Sequence, residues 1–251
     1  MGRWKLAAFA IVLNATLCGA ARAELSLGEK VYDPYVKNGV TEVELRGGVL
    51  TGGPASGESG AIVEFEQGLN DRVSLALVGE IERGAGERTK LDSVGLEGVV
   101  YLGQVPRLGV DVGLYLEYEQ RIHNESGVGE AKLLLAKQAG RFEGLANLIV
   151  QKPFTDRPGE GATAYAYAVQ GTWDAGHNLR LGVQGFGALG DSRRFGGRQP
   201  HWLGPTVKWE THPAGLPGEI ELQASWLASL GAARDDSSGQ LKLAIEWERR
   251  F

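Results

Sequence analysis

The chain has 251 residues, 31 acidic and 26 basic, with 38 glycines, one methionine and one cysteine. A net charge of −5 lacks the basic footprint that a nucleic-acid partner needs, so that class is excluded. The glycines follow no fixed period, which excludes a collagen-like or low-complexity chain.

In chain order, Arg3 and Lys5 form a short positive region and Leu6 to Cys18 an apolar stretch. Ala21-Arg22-Ala23 supplies a small-x-small cleavage site. Residues 1–23 therefore read as a secretory signal peptide cut before Glu24. The apolar run is shorter than the roughly 20 residues of a membrane helix. Cys18 lies within it behind Leu17, which is not the small residue a lipoprotein signal wants. The mature chain is thus expected to carry no disulfide. The leader takes three bases and no acids with it, leaving the remainder more acidic. Residues 24–39, with Val31-Tyr32-Asp33-Pro34-Tyr35-Val36, precede the first strand and are expected to form a periplasmic N-terminal segment tucked against the mouth.

From residue 40 onward about twelve strand-like segments are separated by Gly, Pro, Asp and Asn. They cover 40–50, 60–69, 72–83, 91–102, 107–122, 131–139, 141–154, 163–173, 178–189, 201–210, 219–230 and 239–251. Each is near the roughly 9–11 residues that a tilted membrane strand requires. Several alternate with period two. Leu108, Val110, Val112, Leu114, Leu116 and Tyr118 alternate with Asp111, Tyr115, Glu117, Glu119 and Arg121. Ile220, Leu222, Ala224, Trp226 and Ala228 alternate with Glu221, Gln223 and Ser225. Successive side chains on a strand point to opposite faces, so each segment has an oily and a polar face. The segment 131–139 is less regular, because Leu133, Leu134 and Leu135 run together. Connections on one side are generally shorter than on the other, as in outer-membrane barrels. Aromatic residues gather near strand ends: Phe142, Trp173, Trp209, Trp247 and Phe251 toward one rim, Tyr118, Phe154, Tyr165 and Trp202 toward the other. Rings of this kind prefer the headgroup level of a membrane.

The final strand, Leu241 to Phe251, places Leu241, Leu243, Ile245, Trp247 and Phe251 on one face and Lys242, Glu246, Glu248 and Arg250 on the other. An amphipathic strand ending on an aromatic residue resembles the closing strand of Gram-negative outer-membrane β-barrels. The resemblance implies an all-β fold, a closed antiparallel transmembrane β-barrel over residues 40–251, located in the bacterial outer membrane after export. It also implies that Leu243, Ile245, Trp247 and Phe251 form the signal read by the barrel-insertion machinery. The lipid bilayer is then a partner, and Arg193, Arg194 and Arg198 in an outer loop offer guanidinium groups to lipopolysaccharide phosphates.

With the oily faces toward lipid, the lumen is lined by Glu64, Glu66, Glu80, Glu97, Asp111, Glu117, Arg121, Arg180, Lys208, Glu221, Lys242 and Glu246. Acids outnumber bases there, and a buried charge is costly unless paired. A hydrated lumen is therefore expected. The function expected is a narrow porin-like passage for small solutes or cations, since charged rings set selectivity. Barrel width does not decide whether it conducts. About eight strands are filled by side chains and about sixteen leave a channel. The alternative is a non-conducting structural or surface-binding barrel. A surface hydrolase is the weaker reading. No His-x-Ser occurs, and His123, His201, Asp235 and Asp236 lie in or beside predicted outer loops. No catalytic residue, cofactor or metal site is assigned, because Gly159-x-Gly161-x-x-Ala164 runs into a strand where a dinucleotide site needs a helix. Oligomeric state is left open. If the barrel assignment holds, detergent-extracted protein will migrate differently on a gel before and after boiling.

Overall fold

A computed structural model describes residues 25–122, 126–155 and 161–251. The signal-peptide segment and His123 lie outside these residues. The twelve strands are β1 (Val40–Thr51), β2 (Ser59–Gly68), β3 (Val73–Arg83), β4 (Lys90–Val105), β5 (Val110–Arg121), β6 (Gly127–Ala139), β7 (Phe142–Phe154), β8 (Ala164–Gly176), β9 (Leu179–Asp191), β10 (Pro200–Thr211), β11 (Glu219–Gly231) and β12 (Gly239–Arg250). Each pairs antiparallel with its sequence neighbours, and β12 closes on β1 with Val40 opposite Arg250 and Thr51 opposite Gly239. Closure leaves no sheet edge, as a lipid-embedded sheet requires. No helix among the described residues is long and apolar enough to cross a membrane.

The strand ends depart from the sequence expectation in places. β6 begins at Gly127, where Gly127-Val128-Gly129-Glu130 reads locally as loop. Those glycines are covered by the rings of Tyr118 and Phe154: a Cβ on Gly127 would meet the Tyr118 hydroxyl at 2.5 Å, and one on Gly129 the Phe154 ring at 3.0 Å. Aromatic cover of this kind stabilises glycine within a strand. β4 runs on to Val105 through a bulge near Tyr101 and Gly103. The β8–β9 turn is closed by His177 and Asn178, both in the left-handed region (φ 56° and 60°), as a two-residue hairpin of matching twist demands.

The oily face points outward. Leu45, Phe65, Leu77, Leu96, Leu116, Leu148, Val183, Leu203, Trp226, Leu243 and Ile245 are exposed large apolar residues distributed around the wall. Phe142 pairs with Trp173 near the rim that carries the barrel's two chain ends (the terminal rim), and Trp209 and Phe251 lie at the same level. At the opposite rim (the loop rim) Tyr118 stacks on Phe154 with ring centroids 6.2 Å apart. Trp202 corrects the girdle pattern. It shares a face with Phe186 and Ser229 and turns into the lumen, against the Ile149–Ala166–Leu227 cluster.

The largest departure concerns residues 24–39. Residues 25–37 do not sit at a periplasmic mouth. They run through the barrel interior as an extended strap, from Ser26 beside Glu80 in the loop-rim half to Lys37 beside Glu248 at the terminal rim. The wall makes room with small residues. A Cβ on Gly48 would lie 2.7 Å from the Leu27 carbonyl oxygen, one on Gly60 3.3 Å from Leu27 Cβ, and one on Gly113 2.8 Å from Pro34 Cβ. Replacing Gly113 with Leu is therefore expected to push the strap off the wall. The check is acetylation of the otherwise shielded Lys30 amine, read by mass spectrometry, which rises in Gly113→Leu. It stays at the wild-type level in Gly79→Leu, where an added Cβ meets nothing within 4 Å.

Candidate functional site: the lumen and its strap

An extended segment without sheet partners must have its backbone polar groups satisfied by other means. Here the wall's side chains do it. Asn147, fully buried on β7, accepts from the Tyr32 N–H and donates to the Tyr32 carbonyl, both at 2.8 Å. Arg46 Nε donates to the Gly28 carbonyl at 2.9 Å, and Lys242 Nζ to the Leu27 carbonyl at 2.7 Å. The Gly28 N–H turns back to Ser26 Oγ at 3.0 Å.

The strap's side chains complete the wall in turn. Lys30 Nζ meets Glu44 at 2.5 Å, Glu64 at 3.4 Å and Glu42 at 3.8 Å. Arg46 bridges Glu44 at 2.6 Å and also contacts Glu64, while its other nitrogen donates to the Tyr32 hydroxyl at 2.8 Å. Glu29 receives Lys132 Nζ at 2.7 Å, and that ammonium also reaches Glu130 at 3.0 Å. The Tyr32 ring sits 4.7 Å from that of Tyr115, with Lys132 Nζ 4.3 Å above Tyr32 and 4.5 Å above Tyr115, within cation–π range. Val99, Tyr115, Leu134 and Val36 pack with Tyr32 into a small apolar core inside the barrel. This resolves the Leu133–Leu135 run: Leu134 faces inward and is wholly buried, while Leu133 is exposed.

The register places all twelve residues expected in the lumen on the inward face. Glu64 and Glu66 oppose Glu44 and Glu42 of β1, and Glu246 lies between Glu44 and Glu221. Glu80 accepts from the Ser26 hydroxyl. Tyr115 Oη reaches Glu97 at 2.7 Å and Glu117 at 2.8 Å. Asp111 accepts from Tyr101 at 2.7 Å and from the strap's Tyr35 at 3.1 Å. Arg121 reaches Glu119 at 3.5 Å, Arg180 reaches Glu143 at 3.6 Å and Lys208 reaches Glu221 at 2.7 Å. Lys242 serves the strap. Of the terminal-strand residues, Leu243 and Ile245 are exposed on the outer face, and Trp247 donates its indole N–H to the Pro217 carbonyl at 3.0 Å. Phe251 is exposed at the terminal rim.

Lys30, Tyr32 and Asn147 bring these groups together, and none stood out in the sequence. No periodicity marks a strap, and Asn147 finds Tyr32 across 115 positions. A neutral arc stands beside the charged one. Gln184 and Gln223 both donate to Gln170 at 3.1 Å, and Ser225 donates to Thr206 at 2.7 Å.

The interior is therefore not an open aqueous tube. Toward the loop rim lies a vestibule of about 1050 Å³, whose lining includes Leu25, Ser26, Leu27, Glu29 and Tyr32 of the strap. Its lining carries eleven acidic residues against five basic ones. Of the residues of the hydrolase reading, His123 lies outside the described residues, and His201 and Asp235 are engaged as follows. His201 meets the Tyr167 hydroxyl at 3.2 Å on the outer face, and Asp235 pairs with Arg198 at 2.6 Å.

No protein-family profile and no curated protein matches the sequence. Solved structures do match in fold. An outer-membrane channel from Pseudomonas putida F1 aligns over 89% of this chain and 98% of its own, with a TM-score of 0.58 and 10% identity. The NanC porin aligns over 83% of this chain and 100% of its own, at a TM-score of 0.53 and 9% identity. The chain has the closed β-barrel fold of these outer-membrane proteins. At such identity the likeness concerns the barrel itself.

Replacing Asn147 with Leu leaves two Tyr32 backbone groups dry, at a cost of about 1–3 kcal/mol each. Amide exchange of residues 28–37 is expected to accelerate by about tenfold or more, read by hydrogen–deuterium mass spectrometry, with β1–β12 protection retained.

Proposed function

We propose that this chain forms an outer-membrane passage for small cationic solutes, held shut in the present state by its own strap. The acid excess around the vestibule is the observation that carries this reading. Low-dielectric walls of one charge sign concentrate counter-ions at a mouth and set selectivity. The leader-like first 23 residues, the outward apolar band and the barrel closure support placement in a bacterial outer membrane, with the terminal strand as its insertion signal. Arg193, Arg194 and Arg198, between β9 and β10 at the loop rim, are the guanidinium groups offered to lipopolysaccharide phosphates.

A non-conducting structural barrel is the second reading. It is favoured by the way Tyr32 ties Arg46 of β1 to Asn147 of β7 across the lumen.

A reversible lock separates the two. A Cβ on Gly28 lies 3.4 Å from Ile62 Cβ, at the short edge of disulfide geometry. The Gly28→Cys, Ile62→Cys double variant can therefore staple the strap to β2. In planar bilayers the reduced double variant is expected to show cation-selective openings and the oxidised form none, with reductant restoring them. Absence of conductance steps in both forms and in wild type would leave the structural barrel standing.

A further inference from the structure

The wall grips the strap by its main chain as well as by its side chains. The Asn147 amide spends its oxygen and its nitrogen on one residue, the N–H and the carbonyl of Tyr32. Arg46 Nε takes the Gly28 carbonyl and Lys242 Nζ the Leu27 carbonyl. Lys242 is 9% exposed and forms no ion pair among the described residues, although the lumen holds more acids than bases. A barrel that needed only a rigid interior would set that ammonium on a carboxylate, because a buried charge is costly unless paired. Its partners are instead a peptide carbonyl and the Phe186 ring, 4.7 Å away.

These three wall residues read an N–H and carbonyl groups, which every residue but proline carries. Gly48 keeps the wall low enough for a main-chain carbonyl to lie on it, where a Cβ would stand 2.7 Å from the Leu27 oxygen. Two side chains, two places apart, add selection. Lys30 sets its ammonium among Glu42, Glu44 and Glu64. Tyr32 lays its ring against Tyr115 under Lys132 and gives its hydroxyl to Arg46. Main-chain bonds for affinity and pockets for alternate side chains for specificity are how extended peptides are bound. The vestibule leads from the loop rim to the amino end of this arrangement, at Leu25, Ser26 and Leu27.

We propose that the lumen is a peptide-binding site of which the strap is the resident occupant, and that it takes free extended peptides with lysine or arginine two places before an aromatic residue. This rests on the passage reading for transport alone, where it names the solute class; the binding stands without it. The tether gives the strap an effective concentration on the order of millimolar. A free peptide therefore gains the site when the strap is out or its tether is cut.

The test removes the tether and keeps the barrel. A protease site inserted between Lys37 and Asn38, both exposed, is cut in the folded full mature protein in detergent. The probe is a synthetic peptide of residues 26–37 with fluorescein on its amino end, followed by anisotropy. It is expected to exchange into the cut barrel. A short competitor that keeps only a lysine and a tyrosine two places apart, with alanine, glycine and serine elsewhere, is expected to displace it. The same competitor with glutamate for lysine is expected to act at least about tenfold more weakly. Methylating the probe's nitrogen at Tyr32 removes the donor to Asn147, and is expected to weaken binding by about tenfold in the wild-type wall but not in Asn147→Leu. Displacement by the whole strap sequence alone, with no effect of the short competitor, would mean a plug that fits only itself and would overturn the proposal. So would methylation that costs nothing. If the cut protein loses heat-modifiable migration, the uncut Lys30→Ala, Tyr32→Ala double variant, whose strap lacks both side-chain grips, is tested with the same peptides and the same outcomes. Binding without conductance would remove the passage reading alone. Conductance without peptide binding would remove the peptide class alone.

Discussion

A closed sheet that turns its oily face to lipid must turn its polar face to itself, and this constraint shapes everything inside the barrel. The wall encloses more carboxylates than cations. Ion pairs removed from water are neutral at best unless their remaining hydrogen-bonding capacity is filled. The strap answers that deficit. Lys30 enters a cluster in which Glu42, Glu44 and Glu64 approach one another, and Arg46 closes it from the wall. The strap's carbonyls also give Arg46 and Lys242 acceptors that the strands, already committed to their ladders, cannot offer.

Twelve strands are what make a strap both necessary and sufficient. A narrower barrel would be filled by its side chains, and a much wider one would stay wet around an added segment. At this width one extended chain reaches both walls. Tyr32 touches Arg46 on β1 and Asn147 on β7, on opposite sides of the ring. Above it the remaining lumen stays open and takes the character of its uncovered walls, rich in acids, with Ala162, Ala164, Pro200 and Trp202 among them.

The strand count, the alternation and the inward carboxylates were legible because a barrel strand repeats every two residues and each carries its own face. The strap was not, since it repeats nothing and its fit depends on side chains scattered over the whole chain. Its segment Val31 to Val36 reads as an ordinary extended stretch, and only the register of distant glycines 48, 60 and 113 shows that room is kept for it. The inward apolar residues were hidden for a related reason. Leu134 sits in an unbroken leucine run and Trp202 near a strand end, so a rule of polar inside and apolar outside puts both in the wrong place. Alanines 164, 166 and 168 are small enough to pass for the lipid face or the lumen face of any strand, and it is the buried Phe186 beside them that marks theirs as interior.

The way the strap is held bears on whether it can leave. Its contacts are mostly hydrogen bonds and ion pairs rather than a large apolar interface. Each neutral bond contributes only about 0.5–1.5 kcal/mol net and each bond to a charged group about 1.5–3, because water replaces the lost partner. In a dry interior their loss would be prohibitive, but the vestibule brings solvent to Ser26, Leu27 and Glu29. Release can therefore begin at that end, with water taking over contacts one at a time. The other end is tied to β1 through residues 38 and 39, so return is intramolecular and needs no encounter. A strap with these properties is an internal ligand of its own barrel. A solute bound above it shifts the closed and open populations only to the extent that it binds them unequally.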